Sequence, residues 1–182
     1  MIAATGARFV HPDVVTSHFH FREGDRVADF GAGMGYFAKA LSQFVGNDGR
    51  VYACDIQRNL VDALGKLKQD KQLSNLEPLW CDVESPRGTK LADGVLDGGI
   101  CVNTLFQFEN KHAALTEIAR VIRRGGKFFV IDWSESFSGL GPAPTDVVSA
   151  SEATKLVEAV GFRSERTFPA GDHHYGLAFR RV

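Results

Sequence analysis

Apolar positions along the chain alternate between two rhythms. Short, mainly apolar runs at Arg26–Phe30, Val51–Cys54, Leu76–Trp80, Gly99–Val102 and Lys127–Ile131 have strand length and read as strands covered on both faces. The segments between them carry apolar residues at helical spacing. Phe37, Ala40, Leu41 and Phe44 fall at i, i+3, i+4 and i+7, with Gly46 as the stop. Leu60, Ala63, Leu64 and Leu67 repeat the pattern, as do Leu115, Ile118, Ala119 and Ile122, and then Ala153, Leu156, Val157 and Val160. Ser149 and Glu152 have capping-box spacing ahead of the last set, and Gly161 ends it. Buried strands separated by one-faced helices predict a doubly wound α/β sheet joined by right-handed crossovers.

The C-terminal part breaks the alternation. Phe162–Phe168 and Gly176–Arg181 are two strand-like runs joined by only the short segment Pro169–Tyr175, a separation that only an antiparallel hairpin accommodates. The expected sheet is therefore seven-stranded and mostly parallel, with one reversed strand at or near its edge. Ahead of the first strand, His11–Phe19 predicts a short helix with Pro12 in its first turn. Ser134–Pro144 is the longest irregular stretch, rich in Ser, Gly and Pro, and such loops often carry function.

At 182 residues, 44% hydrophobic and 24% charged, the chain fits one globular domain with a core of its own. The expected organisation is a single domain over residues 1–182, with an N-terminal helical segment, 1–24, covering a site on a core of residues 25–182. Lysine and arginine number 21 against 22 acidic residues, a net charge of −1, which disfavours nucleic acid as a partner without excluding it. No run approaches membrane-spanning length, and Met1–Arg8 is too short and weakly apolar for a secretion signal; a cytoplasmic protein is expected. Cys54, Cys81 and Cys101 all lie in apolar runs without CxxC spacing, the pattern of buried small hydrophobes rather than of a disulfide or zinc framework. In the doubly wound order the three thiols are too dispersed to meet on one thiophilic ion. No metal site is expected.

Candidate chemistry concentrates in Val27–Gly35, where a strand runs into Gly31, Gly33 and Gly35 and a carboxylate, Asp55, follows at the end of the next strand. Alternating glycines let backbone pass close beneath a ligand, and the distant acid suits ribose hydroxyls. A dinucleotide fingerprint would need glycine at position 36, where Tyr36 stands. Asp29, two residues before Gly31, would repel a pyrophosphate but suits a positively charged ligand. The phosphate cradle G-x-x-x-x-G-K-[ST] is missing as well. NAD and ATP are disfavoured.

Asp29-x-Gly31-x-Gly33-x-Gly35 resembles motif I of the class I S-adenosylmethionine-dependent methyltransferases. The resemblance extends to Val51–Asp55, to Trp80–Val83, to Leu96–Asn103 and to Arg120–Lys127, where Arg124 replaces the proline common before the paired glycines. Among subgroups the chain is most similar to the small methyltransferases of ubiquinone/menaquinone biosynthesis and to arsenite enzymes. The resemblance implies a Rossmann-like fold, S-adenosyl-L-methionine as cofactor with S-adenosyl-L-homocysteine as product, and methyl transfer to a small or medium-sized acceptor. It implies cofactor contacts at Asp29, Gly31, Ala32, Gly33, Gly35, Phe37, Asp55, Ile56, Asp82, Val83 and Asn103. In that set Asp29 serves the amino group, Asp55 the ribose, Ile56 the adenine face and Asp82 the adenine amino group; Asp82 is also placed to cap a helix.

No catalytic base is singled out. His18, His20, His173 and His174 are candidates only if the acceptor must lose a proton. His173 and His174, adjacent on an extended chain, point to opposite sides and do not make a metal pair. Phe19, Phe21, Phe106, Phe108 and Trp133 either line an acceptor pocket or belong to the core, and Asp132–Trp133 ends the fifth strand where an acceptor would sit. The acceptor site has to come from the N-terminal segment, from Ser134–Pro144, from His173–Tyr175 or from a second copy in a homodimer. A Rossmann-type oxidoreductase and a cofactor-binding subunit without catalysis are the alternatives.

Overall fold

The computed structural model describes residues 10, 12–137, 139 and 141–182; residues 1–9, His11, Ser138 and Leu140, parts of the expected N-terminal segment and irregular loop, lie outside the described residues. The strands are β1 Arg26–Phe30, β2 Arg50–Asp55, β3 Leu76–Trp80, β4 Leu96–Val102, β5 Ile122–Trp133, β6 Phe162–Pro169 and β7 His174–Arg181. The helices are α1 Pro12–Val15, α2 Tyr36–Val45, α3 Arg58–Asp70, α4 Lys111–Val121 and α5 Ala150–Ala159, with single 3-10 turns at Thr16–His18 and Leu105–Gln107. The strands form one sheet in the order β3–β2–β1–β4–β5–β7–β6. All neighbours run parallel except β7, which is antiparallel to both β5 and β6. This is the Rossmann-like, doubly wound α/β architecture, with its reversed strand one place in from the edge.

Strand order turns back on itself between β1 and β4, so connections leave this point in opposite directions and a crevice opens at the carboxyl ends of the strands. The remaining polypeptide covers the two faces of the sheet. One core gathers α4 and α5 around Phe30, Leu115, Ile118, Phe128 and Phe179. The other gathers α2 and α3 around Val27, Leu41, Leu64, Ile100 and Phe129. Phe19 and Phe21 belong to this second core: Phe19 is fully buried, with ring centroids 4.8 Å from Phe129, 5.9 Å from Phe21 and 6.4 Å from Phe168. Of the two readings open to these aromatics, packing is the one realised.

The helical periodicity places Ile122 in α4, whereas its backbone is extended (φ −84°, ψ 125°) and opens β5. Its N–H still donates to Ile118 O, the last helical bond, while its buried side chain pairs with Leu96 across β4. The apolar position is common to both readings, and only the backbone torsion separates helix from strand. Gly161 has φ +90° behind α5 and Gly46 has φ +67° behind α2, positive torsions that glycine adopts without steric cost. Ser149 caps α5 by accepting from Glu152 N at 3.2 Å. Asn75, buried, donates to Ser42 O at 2.8 Å and Gly46 O at 2.7 Å, serving carbonyls at the end of α2.

Truncating a fully buried aromatic tests this account of the core. Phe19→Ala should cost about 3–5 kcal/mol of unfolding free energy in urea titration, whereas Phe44→Ala on the half-exposed flank of α2 should cost about 1 kcal/mol or less.

Candidate functional site

The carboxyl ends of β1, β2 and β4 surround a cavity of about 730 Å³. The turn after β1 forms its floor. Gly31 N and Ala32 N both donate to Cys54 O at 2.9 Å, and Gly33 N donates to Asp55 Oδ2 at 2.9 Å. Asp55 Oδ1 accepts from Gln57 N at 2.9 Å. The glycine turn is thus fastened to the end of β2 by a carbonyl and a carboxylate. Gly31 has φ +83°, and a Cβ there would collide with the Thr104 side chain that follows β4. At Gly33, φ is +54° and a Cβ would meet nothing within 4 Å, leaving an open cradle over the backbone. Gly35 (φ +83°) does not line the cavity; a Cβ there would lie 2.6 Å from Leu64 and 2.7 Å from Leu67. Its part is to let α2 and α3 approach each other.

The structure brings the remaining expected positions to this one place. Asp29, Ala32, Phe37, Asp55, Ile56, Asp82, Val83 and Asn103 all line the cavity. Asp29 is 2% exposed, and its Oδ2 is buried without a hydrogen-bond partner. Burial, with the nearby Asp55 charge, raises its pKa to about 7 against the pull of the Ala38 N–H. Asn103, at φ +54°, donates its N–H to Ile131 O at 2.8 Å and leaves Oδ1 buried and unpartnered. Asp82 accepts from Glu84 N at 2.9 Å and Ser85 Oγ at 2.7 Å, so it caps the turn that begins there while facing the cavity. Ile56 is 59% exposed at the rim, an apolar surface open to a planar ligand.

None of the four histidines lines the cavity. The His18 ring stacks on Phe168 at 5.0 Å, and burial and Arg166 lower its pKa. His20, at φ +49°, is exposed, with its carbonyl accepting from Lys127 Nζ. His173 Nδ1 lies 2.8 Å from Glu135 Oε1 and its ring stacks on Phe137 at 3.8 Å. His174 points the other way, buried 4.2 Å from Trp133, and burial lowers its pKa to about 4. Of Phe19, Phe21, Phe106, Phe108 and Trp133, Phe108 alone reaches the cavity wall; Trp133 packs against His174 and the backbone at Gly141. Asp132 is buried behind Phe106, accepting from Phe106 N at 3.2 Å and Trp133 N at 2.8 Å. Thr104 and Gln107, which the sequence reading did not single out, line the cavity from the segment after β4, and their only sequence signal is that they follow Asn103.

Two thiols also reach the cavity. The neighbouring Cys81 thiol, with burial, raises the Cys54 pKa, whereas Cys101 sits across β1 on β4. Among the described residues no three His, Cys, Asp or Glu side chains are grouped to hold a metal ion. No helix there is long and apolar enough to cross a membrane. The described cavity wall holds four carboxylates, Asp29, Asp55, Asp82 and Glu84, and no lysine, arginine or histidine. Such a wall opposes a pyrophosphate and favours a ligand that brings a cation and hydrogen-bond donors. The open cradle at Gly33 and the unpartnered oxygens of Asp29 and Asn103 fit a sulfonium nucleoside carrying an amino group.

Comparison with known proteins agrees. The family described as "Methyltransferase domain" matches residues 28–130. The ubiquinone/menaquinone biosynthesis C-methyltransferase of Chromobacterium violaceum is 28% identical over 121 residues, covering 66% of this chain and 48% of that protein; the chain spans about half the length of the curated relatives it matches. A SAM-dependent methyltransferase from Aquifex aeolicus superposes with a TM-score of 0.87 at 28% identity, covering 96% of this chain and 91% of the other. An arsenic(III) S-adenosylmethionine methyltransferase from Chlamydomonas reinhardtii shares the fold, with a TM-score of 0.69 at 22% identity over 87% of this chain and 63% of the other. The chain belongs to the methyltransferase-domain family, within the class I S-adenosylmethionine-dependent group, and S-adenosylmethionine is its cofactor.

The buried acid of the cavity has a thermodynamic signature. With a folded pKa of about 7 and an unfolded value near 3.9, Asp29 binds more protons folded than unfolded between those limits. Its contribution to stability therefore falls as pH rises from about 4 to 7. Without ligand, Asp29→Asn should flatten that part of the pH–stability curve measured by denaturant unfolding.

Proposed function

We propose that this methyltransferase-family chain transfers the methyl group of S-adenosylmethionine to a small or medium-sized acceptor bound in the same cavity. The observation that carries the reading is the Gly33 cradle fastened to Asp55, beside two buried oxygens, on Asp29 and Asn103, that await donors. When bound, the cofactor supplies a methyl group already activated on a sulfonium sulfur. What the protein adds is placement and exclusion of water.

In this assignment Gly31, Ala32 and Gly33 offer backbone beneath the cofactor, Gly35 sets the α2 approach and Phe37 forms an apolar wall. Each Asp55 oxygen already takes one backbone N–H and keeps acceptor capacity for a ribose hydroxyl. Asp29 receives the amino group, whose charge compensates the buried carboxylate. Ile56 and Val83 take the two faces of the adenine, Asp82 its amino group, and Asn103 stands beside the reacting centre. Val10 and Pro12, on the cavity wall, support the reading of the N-terminal segment as a cover of the site. Those two, with Val102 and Phe108, give the acceptor side an apolar lining suited to an apolar body. The name of the Chromobacterium violaceum relative extends the proposal to a carbon nucleophile. We assign no general base, since the candidate histidines lie away from the cavity.

Calorimetric titration tests the reading: S-adenosylhomocysteine should bind and NADH should not, and the reverse result would establish a Rossmann-type oxidoreductase instead. Asp55→Ala should weaken S-adenosylhomocysteine binding by about 1–3 kcal/mol through lost charge-assisted hydrogen bonds. Transfer of labelled methyl to one member of a panel of quinols, thiols and amines would name the acceptor. Tight binding with no transfer to any of them would point to a non-catalytic subunit.

A further inference from the structure

We infer that Glu117, on α4 and outside the cavity, is a positioning residue that sets the wall on which the cofactor's adenine rests; the inference depends on the cofactor assignment above. The wall belongs to the connection between β3 and β4, residues 81–95, which contains neither helix nor strand. Its first residues, Asp82 to Glu84, line the cavity. Nothing periodic holds them, so their place is decided by what the rest of the connection is tied to.

Asp82 is tied to the turn that follows it. Ser85 N donates to Asp82 O at 3.3 Å, Ser85 Oγ donates to Asp82 Oδ2 at 2.7 Å and Gly88 N donates to Ser85 O at 2.9 Å. Gly88 packs against the Asp82 carbonyl so closely that a Cβ there would overlap it. The position of Asp82 therefore follows that of residues 85–89, and these are fastened to one side chain. Glu117 accepts from Thr89 Oγ1 at 2.6 Å, Thr89 N at 3.1 Å and Arg87 N at 3.2 Å. Arg120 balances the carboxylate with bonds of 2.8 and 2.7 Å and extends to Asp93 at 2.5 Å.

Glu117 is 4% exposed and Thr89 1%, so an unmade bond there leaves a desolvated polar group. Arg87 and Lys90, on either side of Thr89, have φ of +57° and +60°. Non-glycine residues hold such torsions only where their surroundings over-determine them, and Glu117 holds the Arg87 N–H and both Thr89 donors within this strained stretch. A second tie from α4 acts on the wall directly: Glu84 accepts from Glu109 N at 3.3 Å and Asn110 N at 2.5 Å, where the helix begins. One helix thus grips the adenine wall at both of its ends, although no α4 side chain lines the cavity.

The test compares affinity with stability in the full chain. S-adenosylhomocysteine is titrated by calorimetry well below the melting transition into wild type, Glu117→Ala, Thr89→Val and Ile118→Val. The last is a core truncation on the same helix that removes none of these hydrogen bonds. Glu117→Ala should raise the dissociation constant about tenfold and Thr89→Val about threefold, with Ile118→Val staying within about twofold despite a lowered melting temperature. A purely structural role would lower melting temperatures and leave affinity alone. The inference is overturned if Glu117→Ala binds like wild type, or if Ile118→Val weakens binding as much. Should Glu117→Ala fail to fold, Thr89→Val binding like wild type overturns it equally. Wild type that does not bind S-adenosylhomocysteine overturns the functional reading, and this inference with it.

Discussion

The site depends on one junction, where the turn after β1 is bonded to the end of β2. Parallel pairing holds the two strands side by side, Phe30 opposite Cys54, and delivers both carboxyl ends to the same edge of the sheet. Cys54 O then takes two N–H groups of the turn and Asp55 takes a third. Those donors would otherwise be orphaned at the mouth of α2. The acid that suits a ribose is thus also the acid that shapes the backbone beneath it. In the proposed assignment recognition and local folding fall to one side chain, and a substitution at Asp55 acts on both.

The wall around that junction is charged in one sense. Four carboxylates face a space whose described lining has no basic side chain, and burial raises the pKa of Asp29 to about 7. A buried acid without a partner is costly, so the arrangement is most stable when something cationic completes it. This electrostatic asymmetry separates the site from nucleotide-binding relatives of the same architecture, where helix N-termini and basic groups meet phosphate.

Much of this was legible in the chain because the determining features are local. β1 and β3 fall on the residues their apolar runs indicate. Gly46 and Gly161 stop their helices, Ser149 caps α5, and the hairpin supplies the reversed strand. Ten of the eleven expected cofactor positions line one cavity, since glycine spacing and strand-end acids mark the crevice of any such sheet. What was hidden depends on partners distant in sequence. Gly35 answers to Leu64 and Leu67, Phe19 to Phe129 and Phe168, and His174 to Trp133. The double service of Asp55 and the network at Glu117 require backbone donors that leave no trace in residue type. Ile122 shows the same limit at a boundary, where one apolar residue satisfies two periodicities at once.

The two strands at the sheet's margins have a consequence for how copies of this chain meet. β3 carries Pro78 at its middle, and β6 presents Arg163, Glu165 and Thr167 outward in alternation with inward Phe162 and Phe168. Proline lacks the donor that an added strand would need, and a charged ribbon resists being capped by another. Both margins are closed to growth. Self-association that continued the ladder, whether in an ordered dimer or a fibre, is disfavoured at each end.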